Sequence, residues 1–247
     1  MNNYKLTLQY DGSRYRGWQV QGNTEETIQG KLQRVLQRML DEPIEVAGSG
    51  RTDAGVHAMG QVANFKCTRE LNTEWLRKEL NHYLPEDIAV LRAEAVDERF
   101  HSRLSAMDKT YRYQICNGDK ADVFARKYQT LVEETLDVSV MQRAAGCLLG
   151  EHDFTSFCGN RHMKKSAVRR VDELRVELEG QLIQITIRGN GFLQNMVRII
   201  VGTLVEVGAG RMEPEAVAEI LAAKDRSLAG PTMAAKGLAL MEVRYLE

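Results

Sequence analysis

Eleven residues, Gly48-Ser49-Gly50-Arg51-Thr52-Asp53-Ala54-Gly55-Val56-His57-Ala58, place a carboxylate and a guanidinium two positions apart in a glycine-bracketed turn. Glycine lets backbone take positive φ and lets a substrate come close. The segment is polar and lies between two apolar runs, so it is not built to fill a core. Arg51 beside Asp53 favours the ionised carboxylate and a lowered pKa. At pH 7 that suits a nucleophile or a base better than a general acid. No second carboxylate lies nearby, which argues against a glycosidase-type pair. The plainer alternative is structural: an aspartate in such a turn commonly makes an Asx-turn or caps the next segment.

A second group opens the latter half of the chain, Lys109-Thr110-Tyr111-Arg112-Tyr113. On a strand, Tyr111, Tyr113 and Ile115 share one face, with Arg112 and Gln114 on the other. Each tyrosine is either a core residue with its hydroxyl tied off or a platform on which a base stacks. Basic residues gather at Arg99, Arg103, Lys109, Arg112, Arg161, Lys164, Lys165, Arg169 and Arg170, with Phe154, Phe157 and His162 interleaved. Such a run is commonly a solvated face. Here the chain as a whole carries a net charge of −1, and acids collect elsewhere, at Glu133-Glu134 and from Glu213 to Glu219. That asymmetry points to a local phosphate-binding surface; were it not to bind RNA, Arg14 and Arg16 are the alternative track. Arg198 sits on a helix among apolar residues and needs a partner there. A carboxylate such as Asp53 or an RNA phosphate would serve.

Other chemistries find no support. There is no Walker loop, G-x-G-x-x-G, H-E-x-x-H or nucleophile elbow. The five histidines and the dispersed Cys67, Cys116, Cys147 and Cys158 lack metal-ligand spacing. No metal and no cofactor is expected, and the cysteines read as reduced thiols.

The elements that must position these residues follow from periodicity. Tyr4, Leu6, Leu8 and Tyr10 alternate as a half-buried strand. Ile28, Leu32, Val35, Leu36 and Met39 mark a helix, with Asn23 or Thr24 as its cap and Glu25 and Glu26 in its first turn. Ile44 to Ala47 and Gln61 to Cys67 read as strands around the glycine turn. Thr73 to Leu84 is a helix and Ile88 to Val96 a strand. The first half is thus β-α-β-β-α-β, the ferredoxin-like order. The second half repeats it with an extra helix. Its parts are a strand over Thr110 to Cys116, a helix through Val138, Met141, Ala145 and Leu148, and a hairpin with Leu174, Val176 and Leu178 inward against Ile183, Ile185 and Ile187. A long apolar helix from Met196, a helix opened by Pro214 and a last strand over Ala239 to Tyr245 complete it. The expected architecture is α+β: two ferredoxin-like (RRM-like) domains, residues 1–104 and 105–247, whose antiparallel sheets meet at a central cleft. With 247 residues, 43% hydrophobic and 27% charged, the composition is that of a globular protein. The start runs straight into a strand, and no apolar run approaches membrane-spanning length. A cytoplasmic protein is expected.

The stretch around Asp53 resembles the active-site motif of the tRNA pseudouridine synthase A (TruA) family. The likeness runs through Tyr10-Asp11-Gly12-Ser13, Gly17-Trp18-Gln19 with Gln21, Ile28-Gln29-Gly30, Arg99-Phe100-His101 and Tyr111-Arg112-Tyr113. It continues through His152-Asp153-Phe154-Thr155-Ser156-Phe157, Gly191-Phe192-Leu193 with Met196-Val197-Arg198, Ala229-Gly230-Pro231-Thr232 and Gly237-Leu238. Two places depart from it: Ala239, where an aromatic is common, and Gly159 to Lys165. The resemblance implies isomerisation of uridine to pseudouridine on the 3′ side of the tRNA anticodon stem-loop, positions 38–40, by a homodimer without cofactor. It implies Asp53 as nucleophile, Arg51 orienting it, and Tyr111 stacking on the base and aiding the proton step. Substrate contacts are expected from Tyr111, Arg51, His57, Arg198, Lys109, Arg169 and Arg170. The competing reading is an RNA-binding protein of the same fold without activity. A purely structural α+β protein is the third.

Overall fold

The computed structural model describes residues 1–160 and 162–246, so Arg161 of the basic run lies outside the described residues. The chain divides into two compact units. One spans Met1–Met107 and takes back the C-terminal stretch from Leu240; the other spans Asp108–Ala239.

The first unit contains β1 (Asn2–Tyr10), α1 (Ile28–Leu40), β2 (Val46–Gly48), β3 (His57–Cys67), α2 (Thr73–Tyr83) and β4 (Ile88–Val96). Its sheet has the order β4-β1-β3, with β2 also on β3. All these pairs are antiparallel. This is the ferredoxin-like arrangement expected. Alternation along β1 buries Tyr4, Leu6, Leu8 and Tyr10, and α1 buries Ile28, Leu32, Leu36 and Leu40. The cap of α1 differs from the expectation. Thr27 accepts from the amide of Gly30, so Glu25 and Glu26 precede the helix rather than occupy its first turn. The reason is tertiary: the Glu26 carbonyl is taken by the amide of Arg16, which keeps the chain extended up to Thr27. Asn72 caps α2 as its side chain accepts from Trp75.

The second unit contains β5 (Ala106–Asn117), β6 (Thr130–Val132), α3 (Val138–Gly146), β7 (Gly150–Asp153), β8 (Val168–Glu179), β9 (Leu182–Gly189), α4 (Met196–Gly208) and α5 (Ala216–Ala223). Its strands run β5-β9-β8-β7, with β6 parallel on β5. The hairpin β8–β9 pairs Leu174 with Ile187, Val176 with Ile185 and Leu178 with Ile183. Leu174 and Val176 are buried, but Leu178, expected inward, is 55% exposed at the strand end. β6 and β7 are additions to the expected order. α4 is apolar nearly all round and is buried from Met196 to Val205 except at Arg198.

The last strand, β10 (Leu238–Tyr245), follows the second half in sequence and was expected to join it; from Leu240 onward it lies with the first unit, beside β3. β2 covers only Ala63 to Phe65 of β3, which leaves the earlier part of that strand open. Gly60 permits the approach there, since a Cβ would stand 2.4 Å from the Met241 carbonyl oxygen. Among the described residues no helix is long and apolar enough to cross a membrane.

Candidate active site

Asp53 lies half-buried on the segment that connects β2 to β3. Three sets of contacts within the first unit fix the backbone on which it sits. The stretch from Gly12 to Trp18 comes first. The Trp18 amide donates to the Thr52 carbonyl at 3.0 Å, and the Gly55 amide donates to the Tyr15 carbonyl at 3.3 Å. Gly17 has φ +97°, and a Cβ there would stand 2.7 Å from the Thr52 carbonyl oxygen and 3.2 Å from the carbonyl carbon of Asp53. Only glycine provides both the conformation and the clearance. Trp18 itself is buried, with its indole where a side chain on Gly48 would otherwise be. Within the turn, the Val56 amide closes onto the Asp53 carbonyl at 3.1 Å. Gly55 takes the positive φ that the sequence led us to expect, but Gly48 and Gly50 do not.

A buried polar network forms the second support. The Tyr10 hydroxyl and Thr52 Oγ1 are 2.8 Å apart. Gln61 Oε1 accepts from Ser49 Oγ at 2.7 Å, while its Nε2 donates to the Gly50 carbonyl at 3.1 Å and faces the Tyr10 hydroxyl at 3.4 Å. Burial pushes the Tyr10 phenol up to about 12, and its bonds to Thr52 and Gln61 pull the other way. The hydroxyl is therefore neutral and acts as a fixed dipole. Satisfied networks of this kind hold a unique local conformation.

The third support runs through His57, which opens β3. Expected among the substrate contacts, it is 4% exposed. Its Nδ1 accepts from the Gly12 amide at 3.0 Å and stands 3.2 Å from Asp11 Oδ1. Arg51 is exposed and its Nε donates to Gln19 Oε1 at 3.1 Å, so the guanidinium flanking Asp53 is itself held by a side chain of the Gly17–Gln19 stretch.

The remaining candidates belong to the second unit. Tyr111 faces inward on β5 opposite Ile187, is 7% exposed, and meets Phe192 edge-on at 5.2 Å. Tyr113, two residues on, is fully buried. Its hydroxyl bonds Thr130 Oγ1 and the Ala234 carbonyl, each at 2.7 Å, and burial lifts it to about 12. The tied-off core reading describes Tyr113. Arg198 Nε donates to the Met233 carbonyl at 2.6 Å and Nη1 to Asn195 Oδ1 at 3.0 Å. Lys109 is half-buried opposite Gly189.

The basic run is less uniform than its sequence implies. Arg169 donates to the carbonyls of Ser166 and Val168, and burial lowers its pKa. Arg170 is paired with Asp172 at 2.7 Å. Lys164 and Lys165 are exposed. The interleaved aromatics Phe154 and Phe157 are not stacking platforms, since both are fully buried and pack on each other at 6.0 Å. The Asp153 carboxylate accepts from the Thr155 amide and hydroxyl, which turns the chain so that both rings point inward.

Comparison with known proteins decides the family. A family model described as tRNA pseudouridine synthase matches residues 7–104 and 144–246. The chain belongs to the tRNA pseudouridine synthase family. Its likeness to members of that family is end to end. It is 48% identical to a tRNA pseudouridine synthase A 2 of Bacillus cereus, over 99% of this chain and 100% of that one. It is 50% identical to tRNA pseudouridine synthase A of a Bacillus species, over 93% and 94%. It is 46% identical to tRNA pseudouridine synthase A of Moorella thermoacetica, over 98% of each. The matched residues of the family model include the whole Asp53 turn and its three supports.

Proposed function

We propose that this protein is a tRNA pseudouridine synthase that converts uridine to pseudouridine in the anticodon arm, on its 3′ side, with Asp53 as the nucleophile. The observation that carries the reading is the Asp53 turn: one half-buried carboxylate on a backbone pinned from three directions, in a member of this family. Electrostatic and nucleophilic catalysis both need a group that does not reorganise during reaction. The reaction breaks the bond from C1′ to N1, turns the uracil and joins C1′ to C5. C5 loses a proton and N1 ends with one, so the change is an isomerisation without net oxidation or hydrolysis. No cofactor is required by that balance.

In this reading Arg51, steadied by Gln19, orients Asp53. Tyr111 stacks on the target base, and its hydroxyl serves the proton step. The base must leave its stack to react, at a cost of a few kcal/mol, which a stacking contact offsets. His57 supports the turn through Gly12. Lys109, Arg169, Arg170 and Arg198 are the contacts to RNA. The enzyme acts in the cytoplasm as a homodimer. Release of tritium from C5-labelled uridine in a tRNA transcript, with pseudouridine mapped in the product, tests the reading. Retention of all label alongside tight tRNA binding would favour the inactive RNA-binding protein.

A further inference from the structure

We propose that the first unit carries a phosphate-binding strip for the RNA strand, running from the outer face of α1 along Arg14 and Arg16 to the Asp53 turn. The proposal rests on the tRNA reading above and adds a contact surface separate from the basic run of the second unit.

Between Gly12 and Leu40 the chain has five cations, Arg14, Arg16, Lys31, Arg34 and Arg38, against two carboxylates, Glu25 and Glu26. For the whole chain the totals are 33 basic and 34 acidic residues, so the excess is local. The backbone brings these cations together. Ile28, Leu32, Leu36 and Leu40 bury one face of α1, which turns Lys31, Arg34 and Arg38 outward at helical spacing. Those three help line a groove of about 260 Å³ whose other wall includes Tyr83 and Pro85. Tyr83 is 58% exposed, and its ring is braced by an edge contact with His82 at 4.7 Å.

The strip is joined to the Asp53 turn by backbone bonds. The Arg16 amide donates to the Glu26 carbonyl at 2.7 Å, just before α1. Two residues on, the Trp18 amide donates to the Thr52 carbonyl at 3.0 Å. Arg16 thus stands between the helix face and the catalytic turn.

Arg14 is held at 2.7 Å by the mostly buried Asp87, whereas Lys31 and Arg34 have exposed acidic partners, Glu26 at 2.8 Å and Glu25. Such surface pairs are weak and exchange readily for a phosphate. Arg16 and Arg38, both exposed, make no ion pair among the described residues. A row of cations with an exposed aromatic beside it is the arrangement that follows a nucleic-acid backbone and accepts a base. A merely solvated helix face would need neither the outward Tyr83 nor the continuity with Arg16.

The test uses the full-length protein and a tRNA transcript, with filter binding over a range of salt and tritium release for turnover. Arg16→Gln with Arg38→Gln should flatten the slope of log affinity against log salt by about two, roughly one for each lost phosphate contact. KM should rise about tenfold while kcat at saturating tRNA stays within about twofold. Lysine at both positions should recover the slope, because a point charge suffices for phosphate. An unchanged slope and KM in the glutamine pair would overturn the strip. So would equal flattening by Arg77→Gln with Lys78→Gln on α2, which would reduce the effect to overall charge. Failure of the wild type to release tritium would instead count against the synthase reading, and filter binding would still report on the strip.

Discussion

Replacing Gly17 with alanine should slow the reaction without weakening tRNA binding. Gly17 has φ +97°, and an added Cβ would stand 2.7 Å from the Thr52 carbonyl oxygen, 3.2 Å from the carbonyl carbon of Asp53 and 3.3 Å from the Ala54 nitrogen. Holding alanine in positive-φ backbone costs about 1–3 kcal/mol. The closest contact must also open by roughly 0.3–0.7 Å to reach ordinary separation, adding about 1 kcal/mol. A total of about 2–4 kcal/mol corresponds to a Tm lower by roughly 5–15 °C in a chain of this size. The displacement falls on Asp53, because all three contacted atoms belong to Thr52, Asp53 and Ala54. A misplacement of about 1 Å can cost about a hundredfold in rate. About half that displacement gives a loss near tenfold, or about 1.4 kcal/mol of transition-state stabilisation. Single-turnover tritium release at saturating enzyme isolates this step from binding, and a thermal melt measures the strain. A lowered Tm with an unchanged single-turnover rate would show that Gly17 serves the fold and does not position Asp53. An unchanged Tm would refute the strain argument itself.

Asp53→Asn should abolish tritium release yet leave tRNA affinity near wild type and stability within about 1 kcal/mol; residual turnover within tenfold would remove Asp53 as the essential group. Gln61→Leu strands the Ser49 hydroxyl and the Gly50 carbonyl, and should cost about 1–3 kcal/mol; a wild-type melting curve would contradict the network's role. Tyr111→Phe should keep tRNA binding and lose rate, whereas Tyr111→Ala should also lose stacking worth roughly 1–3 kcal/mol; wild-type kinetics in both would make Tyr111 a core residue. Tyr10 is held neutral up to about 12, above the value of about 10 in an unfolded chain. Its contribution to stability is therefore whole below pH 10 and lost as pH rises from 10 to 12. Alkaline melts of Tyr10→Phe should fall less steeply over that window than those of the wild type.

Much of the fold could be read from periodicity, because one face of each long element is buried and the other wet. The buried apolar residues of β1 are the four that alternate in the sequence, and α1 buries Ile28, Leu32 and Leu36 from the expected stripe. What escaped was short or long-range. β6 and β7, at three and four residues, are too brief to show a period. The cap of α1 moved to Thr27 because Arg16 holds the Glu26 carbonyl, a contact invisible to local propensity. The return of the chain from Leu240 to the first unit depends on the open flank of β3 and on Gly60, neither of which the pattern of the last strand encodes.

The candidate site divides in the same way. Residue types alone singled out Asp53, Arg51 and the glycine turn as the candidate, because a polar segment between two apolar runs is not built to fill a core. The groups that hold the turn still were not legible. Gln61 reads as an ordinary strand residue, yet its amide ties Ser49 to Gly50. Thr52 reaches Tyr10 across 42 positions of sequence, and His57 is taken up by Gly12 across 45. Glycines at 12 and 17 appeared as loop punctuation, but each marks a point where two backbones touch: a Cβ on Gly12 would fall 2.0 Å from the Val56 carbonyl oxygen. The turn is thus gripped just before Asp53, at Thr52, and just after it, at Val56. Neither grip involves the carboxylate itself. Substitutions at Gly12, Gly17, Gln61 and Tyr10 should therefore resemble one another, each loosening the turn and lowering the rate, and differ from Asp53→Asn, which should remove the chemistry and leave the turn in place.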